Sequence, residues 1–310
     1  MWTPEISLVL PCYQNGATLE RTVRSIRAQT FADWELIAVD DGSTDDTGAR
    51  LDALAKDEPR MRVLHQQNGG VSAARNAGMA CARGRWIGFV DADDHLLPGA
   101  LRALLALTDE QTDIACGAYI MRHGEDGGRE ELSVCAEGDR IAIYESLLRG
   151  DSALNSMCAR LYRADMLKEN RVEAPLGVKV GEDVLFNLDA FACARSWRMS
   201  REVVYIYELG GDSAMMRARS DRYARSLPML EGIGRFIDRH HLETALFRAH
   251  IDAYLRVLRA DRGRLRAALG FDRSVVRRIT KGVSPRALCA KQRLYYAALR
   301  LLPPLSFFLP

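Results

Sequence analysis

Apolar runs alternate with amphipathic stretches through the first 120 residues. Ile6-Ser7-Leu8-Val9-Leu10 is a nearly continuous hydrophobic run closed by Pro11, the mark of a strand buried on both faces. Asn15 follows as an N-cap, and Leu19, Val23 and Ile26 recur at helical spacing up to about Gln29. The pattern then repeats. Residues 34–39 form a second apolar strand, 44–56 a helix, 61–65 a third strand and 71–83 a helix introduced by Asn68-Gly69-Gly70. Residues 86–90 form a fourth strand, Pro98 opens a helix over 99–107, and 113–121 has strand character. Strands alternating with helices of this length describe βαβ units, hence an α/β fold with a mostly parallel sheet covered by helices.

Further on the pattern is weaker. Residues 124–140 are polar and glycine-rich, a predicted loop, and 141–148 is a short helix. Residues 155–167 read as a strand or turn followed by a helix, and Gly181-Glu182-Asp183 opens another helix. Phe247, Ile251, Tyr254 and Leu258 share one helical face, Gly270 is a candidate C-cap, and Leu288, Tyr295, Leu299 and Leu302 repeat the spacing in a last helix.

Charge divides the chain where the pattern changes. The net charge of the 310 residues is +2, but from Arg217 onward there are 20 Lys and Arg against 7 Asp and Glu. This predicts two segments with different partners, residues 1–216, divided at about 122, and a basic helical region over 217–310. Seven dispersed cysteines without a CxxC pair suggest reduced thiols in the cytoplasm rather than disulfides or a zinc site. No secretory signal and no transmembrane segment are expected.

Candidate chemistry concentrates at strand ends. The fourth strand stops at Asp91-Ala92-Asp93-Asp94, and the second stops at Asp40-Asp41-Gly42-Ser43. One such end is ordinary turn chemistry. Two at the same sheet edge place crowded carboxylates where open α/β sheets bind ligands. Such crowding calls for an offsetting cation, and oxygen ligands suit Mg²⁺ or Mn²⁺. Arg75 can reach a phosphate or stack on a base, or be solvated helix surface. GxGxxG after the first strand, GxxxxGK[ST], GxSxG and HExxH are all missing, which removes the dinucleotide, P-loop, serine-hydrolase and zincin signatures.

Five motifs in order carry a resemblance. Ser7-Leu8-Val9-Leu10-Pro11-Cys12-Tyr13-Gln14, Ala38-Val39-Asp40-Asp41-Gly42-Ser43-Thr44-Asp45 and Asn68-Gly69-Gly70-Val71-Ser72-Ala73-Ala74-Arg75-Asn76 are the first three. Val90-Asp91-Ala92-Asp93-Asp94 and Gly181-Glu182-Asp183 complete the set, which resembles glycosyltransferase family 2 over about residues 6–215. The resemblance implies a GT-A (Rossmann-like) fold, a nucleotide-diphosphate sugar donor, with UDP typical, and a divalent cation, Mn²⁺ or Mg²⁺. It puts Pro11 and Tyr13 beside the nucleotide, has Asp41 accept from the base, and sets Arg75 against the base or diphosphate. Asp91 and Asp93 match the DxD pattern of ribose and metal binding, with Asp94 able to replace either, and Asp183 takes the part of general base. Glu182 and Arg160 are acceptor-side candidates. Without the resemblance, Glu182 and Asp183 read equally as stabilisers of a helix N-terminus.

Two departures bear on the acceptor. Cys158-Ala159-Arg160-Leu161-Tyr162 replaces a Trp-Asn-Lys-Leu-Tyr pattern, and Glu208-Leu209-Gly210-Gly211-Asp212-Ser213 stands where relatives carry basic residues, with Arg217 and Arg219 as substitutes. The expected function is therefore inverting, metal-dependent transfer of a hexose or N-acetylhexosamine to a glycan or lipid-linked hydroxyl in envelope polysaccharide synthesis. The alternatives are a catalytically silent nucleotide-sugar-binding relative and a nucleotidyltransferase, though the first loop lacks the basic residues of the latter. The basic C-terminal helices suit an anionic membrane surface or packing on the catalytic part, which leaves the location cytoplasmic or peripheral on the membrane. Nucleic acid is not an expected partner, for no recognition motif accompanies the charge.

Overall fold

The first apolar run forms the centre of the sheet. The computed structural model describes residues 3–123, 130–133, 138–150, 153–209, 222–260, 277 and 279–301. Strand β1 (Ile6–Cys12) pairs in parallel with β2 (Trp34–Asp40) on one side and β4 (Trp86–Phe89) on the other. Strand β3 (Met61–His65) continues beyond β2, also in parallel. Every residue of β1 and β2 is buried, as their unbroken hydrophobicity requires. Glu35 is the exception in kind: Ser7 donates to it at 2.7 Å and Arg83 at 2.7 Å, so its charge is fully paired.

Helices α1 (Leu19–Arg27), α2 (Thr47–Lys56) and α3 (Val71–Cys81) cover this parallel half. Leu19, Val23 and Ile26 are all buried, as their spacing predicts. Asn15 differs from expectation. Its side chain accepts from the Tyr13 N–H, and only its backbone carbonyl receives the first N–H groups of the helix. Thr18 takes the N-cap position.

Beyond β4 parallel pairing no longer dominates. Strand β8 (Arg160–Arg163) runs antiparallel to β4, and β6 (Ile114–His123) antiparallel to β8. Strand β9 (Trp197–Leu209) then pairs in parallel with β6 and receives the short antiparallel β5 (His95–Leu96). The order is β3-β2-β1-β4-β8-β6-β9-β5, with β7 (Glu130–Ser133) on β6. The region predicted as loop over 124–140 thus contains a strand, whose polar sequence is that of an outer partner to β6. Strand β9 escaped the pattern reading because Arg198, Arg201 and Glu202 interrupt its apolar residues.

The remaining helices bind the two ends of the chain together. Helix α4 (Ala100–Leu105) precedes β6, α5 (Arg140–Arg149) follows β7, and α6 (Ala164–Glu169) follows β8. Helix α7 (Glu182–Cys193) lies under β4 and β8. There Phe186 meets Phe89 and Tyr162 edge-on at 5.7 and 5.3 Å, a preferred arrangement of aromatic rings. Helices α8 (Arg222–His240), α9 (Phe247–Ala260) and α10 (Ala290–Leu301) make up the described part of the basic region. Ile233, Phe236, Phe247 and Ile251 join the same core as the sheet. Tyr144 of α5 stacks edge-on against Phe236 at 5.1 Å, and Arg239 pairs with Asp189 at 3.1 Å.

Leu288 is buried but lies ahead of α10 rather than within it. Gly270, Arg217, Arg219 and Leu302, together with the side chains of Tyr254, Leu258, Tyr295 and Leu299, fall outside the described residues. No described helix is long and apolar enough to cross a membrane.

Candidate active site

The carboxyl ends of β1, β2 and β4 converge on one edge, and the loops that leave them are laced together. Asp41 N–H donates to Cys12 O at 2.9 Å, and Gln14 exchanges hydrogen bonds with Thr44 at 2.7 Å and Asp45 at 3.1 Å. Gly42 turns the chain at φ +71°, and a Cβ there would lie 2.8 Å from Asn68 N. Only glycine satisfies both conditions. Pro11 lies in register with Val39 at this edge, and Tyr13 just beyond it is 49 % exposed.

Asp41 is buried under the glycine loop. Gln66 Nε2 donates to it at 2.7 Å, Gly69 N at 2.9 Å and Gly70 N at 2.8 Å. Three such bonds fix the carboxylate in place. Neighbouring Asp40 faces away, towards Ser43 N at 3.0 Å and His65 Nδ1 at 3.0 Å. Burial pushes its carboxyl up, but the Ser43 and His65 hydrogen bonds outweigh this and hold it below the ordinary range.

The turn after β4 is held from beneath by α1. Thr18 and Thr22 hydroxyls donate to Ala92 O at 2.8 and 3.0 Å, Thr22 also to Asp94 O at 2.6 Å, and Arg21 to Asp93 O at 2.5 Å. The three acids are not equivalent. Asp94 is 1 % exposed. One of its oxygens accepts from the Tyr205 hydroxyl at 2.7 Å and the other from Glu208 N at 2.8 Å. The same hydroxyl receives the Asp91 N–H at 3.0 Å. Asp94, a metal candidate by sequence, is therefore committed to fastening the turn onto β9. Burial, then repulsion from Asp91 and Asp93, pushes its carboxyl well above the ordinary range. Asp93 is pushed up to about 6, by burial first and then by Asp91.

Arg75 is the junction of the site. The sequence placed it against a base or diphosphate; the guanidinium instead points into a ring of acids. It stands 3.0 Å from Asp91, 2.6 Å from Asp183 and 3.4 Å from Glu182, with its side chain 3 % exposed. Small residues let α3 lie close on the sheet: Ala74 is buried, and Gly78 sits where any Cβ would lie 2.4 Å from Val9 of β1. A buried charge with this many partners is balanced rather than stranded.

Glu182 and Asp183 open α7 after Gly181 at φ +80°, without capping that helix through their side chains. Their carboxylates turn instead to Arg75, and Asp183 also accepts from Met157 N at 3.2 Å. Burial and the adjacent Asp183 charge push Glu182 up to about 7, against the pull of Arg75. Arg160, an acceptor-side candidate by sequence, is 2 % exposed. It donates to Ala153 O at 2.5 Å and to Asn187 Oδ1 at 3.3 Å. It belongs to the support of α7 and presents no charge to an acceptor.

The residues missed by sequence reasoning are Thr18, Arg21, Thr22 and Tyr205, while Glu208 stood out only as a departure on the acceptor side. Threonines spaced i, i+4 on α1, one turn from the helix's apolar stripe, are the signal that was available for the first of these. Glu208, which stands where relatives are basic, is itself ringed by basic side chains. The Arg122 guanidinium lies 3.4 Å from its carboxylate and that of Arg21 3.6 Å, with the His95 ring, whose pKa burial lowers, at 3.6 Å.

With this geometry in hand, the likenesses of the chain can be placed. Residues 7–171 match the model of Glycosyl transferase family 2. EpsH of Bacillus subtilis, a putative glycosyltransferase, is 28 % identical over 82 % of this chain and 75 % of its own length. The succinoglycan biosynthesis protein ExoO of Rhizobium meliloti is 30 % identical over 69 % of this chain and 64 % of its own. In solved structures, residues 1–349 of S. aureus TarS in complex with UDP-GlcNAc superpose with a TM-score of 0.72 at 21 % identity. That superposition covers 96 % of this chain and 87 % of the other, and it establishes the GT-A type of fold.

Proposed function

The chain belongs to glycosyl transferase family 2, and from that premise we propose that it transfers a sugar from a UDP-sugar to a hydroxyl group with inversion. One observation carries the proposal: Arg75 joins Asp91, at the donor edge of the sheet, to Asp183 at the start of α7. Donor and acceptor sides of the reaction thereby share one fixed frame. UDP is favoured by the UDP-GlcNAc complex of TarS and by the family resemblance, which gives Asp41 the part of acceptor for the base. The name of ExoO, a succinoglycan biosynthesis protein, favours a role in polysaccharide synthesis, and a glycan or lipid-linked acceptor and the hexosyl or N-acetylhexosaminyl identity of the donor belong to this proposal.

Asp183 is the base of the mechanism. A neutral alcohol is a weak nucleophile, and a carboxylate within reach of its proton lowers the barrier to attack. Arg75 at 2.6 Å orients Asp183. Glu182, pushed up to about 7 by burial first and then by Asp183, takes up a proton near neutrality. Removal of the proton on the face opposite the leaving diphosphate gives inversion in one displacement.

The residues present fit a divalent cation. Asp93, half-buried and pushed up to about 6 by burial and by Asp91, has the unbalanced negative charge that a cation offsets. No group of three ligating side chains stands ready among the described residues, and Mg²⁺-type sites commonly take one or two carboxylates and complete their shell with substrate phosphates. Asp93, with Asp91 beside it, would hold the ion. When bound, it would supply Lewis-acid neutralisation of the departing diphosphate.

The basic charge after Arg217 supports action at an anionic membrane surface, which flotation with anionic liposomes at low salt tests directly. The function itself is tested by thermal shift across UDP-, GDP- and TDP-sugars with and without Mn²⁺. Stabilisation by UDP and a UDP-sugar, followed by Mn²⁺-dependent UDP release, is expected. No response to any uridine nucleotide would overturn the assignment.

A further inference from the structure

Asn76 stands next to Arg75 on α3, and the mechanism above does not use it. Its side-chain amide pairs with the backbone of Ala174 in both directions. Nδ2 donates to Ala174 O at 2.9 Å and Oδ1 accepts from Ala174 N at 2.8 Å, across 98 residues of sequence. Eight residues after Ala174 the chain arrives at Glu182 and Asp183, where Arg75 takes hold. Two consecutive side chains of one helix thus grip the segment 174–183 at both ends.

The stretch between the grips has little else to fix it on its outer side. Leu176, Gly177 and Lys179 are exposed, and Gly177 and Gly181 adopt φ of +76° and +80°. Its inner side is closely backed. Val178 is buried, and a Cβ on Gly181 would meet Met229 Sδ of α8 at 2.1 Å. Helix α3 also reaches the donor side, through Gly70 N to Asp41 at 2.8 Å and Arg75 to Asp91 at 3.0 Å. A displacement of 174–181 relative to α3 would therefore move Asp183 against the nucleotide site.

We propose that Asn76 is a positioning residue of the transfer reaction, acting through Ala174 to hold the segment that delivers Asp183. The proposal rests on the reading of Asp183 as base. An amide serving only stability would behave differently. Its loss would lower stability and leave catalysis intact in the molecules that remain folded.

The test uses two variants of the full chain that break the same pair from opposite sides. Asn76→Ala removes the amide. Ala174→Pro removes the backbone N–H, and the position should tolerate proline because Ala174 precedes Pro175 and is already biased to extended backbone. The measurements are Mn²⁺-dependent UDP release from the UDP-sugar that gives the largest thermal shift, UDP affinity by calorimetry, and hydrogen exchange over 171–187. The expected result is a kcat lower by about a hundredfold, the scale of a misplaced catalytic group. KM for the donor and UDP affinity should stay within twofold, and residues 175–181 should exchange faster.

Unchanged kcat in both variants overturns the proposal, and so does a parallel loss of kcat and UDP affinity, which would mark a general support of the fold. If the wild-type chain releases no UDP, the base assignment falls. The exchange data still decide the clamp in that case, for unaltered protection of 175–181 in both variants removes it.

Discussion

Arg75 donates to Asp183 at 2.6 Å across 108 residues of sequence, from inside a nearly closed pocket of acids. The pair explains how a helix on the parallel side of the sheet governs a residue on the far side. It also makes the guanidinium the element whose loss the site can least absorb. Arg75→Met leaves Asp91, Glu182 and Asp183 facing one another without their shared cation. Breaking a buried ion pair from one side costs about 3–5 kcal/mol, so a large fall in thermal stability is expected by calorimetry. Adding Asp183→Asn removes one of the stranded charges and should recover part of the loss. Strict additivity of the two substitutions would show that the pair is not coupled.

Asp183→Asn alone separates binding from chemistry. Asparagine keeps the shape and can still meet Met157 N, which donates to the present carboxylate at 3.2 Å. UDP affinity should be unchanged in calorimetry if Asp183 acts only in the transfer step. UDP-sugar turnover should fall by roughly two to four orders of magnitude, the range for loss of a general base. A variant that turns over at near wild-type rate would remove Asp183 from its role.

Much of this site was legible beforehand, for a definite reason. Strands β1, β2 and β4 are buried on both faces, so their apolar runs and the acids that end them stand out in one dimension. Asp41, Asp91 and Asp93 could be found in that way. What Arg75 does could not, because its partners Asp91, Glu182 and Asp183 lie 16, 107 and 108 residues away. The available hint was an arginine between Ala73, Ala74 and Ala77 with no acid at i±4, a charge with no local partner. Asp94 looked equal to its neighbours until Tyr205, 111 residues on, is seen to claim it. Strand β9, which carries Tyr205, was itself obscured by its arginines and by one face that is half exposed.

Glu182 gives a pH dependence whose sign is fixed. Its folded pKa, about 7, lies above the ordinary 4.5, so the folded state binds the proton more tightly than the unfolded chain. The stability this contributes is complete below pH 4.5 and is lost as pH rises through 7. Glu182→Gln removes the penalty of ionising the group. The variant should therefore gain stability over wild type at pH 8, by up to about 3 kcal/mol at ~1.4 kcal/mol per pKa unit. The gain should shrink towards pH 4.5. Chemical denaturation at pH 5 and pH 8 reads the difference, and an equal effect at both would refute the assignment of the shift to Glu182.

Tyr205 sets how firmly the acidic turn is held. Its hydroxyl donates to Asp94 at 2.7 Å and accepts from the Asp91 N–H at 3.0 Å, so Tyr205→Phe strands two buried polar groups at once. Each unsatisfied group costs about 1–3 kcal/mol, and the aromatic ring itself is retained, which limits any packing loss. The lost hydroxyl stabilises the ionised form of Asp94, whose carboxyl burial already pushes up. Without it the carboxyl rises further. If Asp91 and Asp93, on the same turn, hold Mn²⁺ as proposed, they should then bind it less tightly in the presence of UDP. Tyr205→Phe is thus expected to lower thermal stability and to require more Mn²⁺ for half-maximal UDP release. Unchanged stability together with an unchanged Mn²⁺ requirement would mean that β9 and the acidic turn are independent.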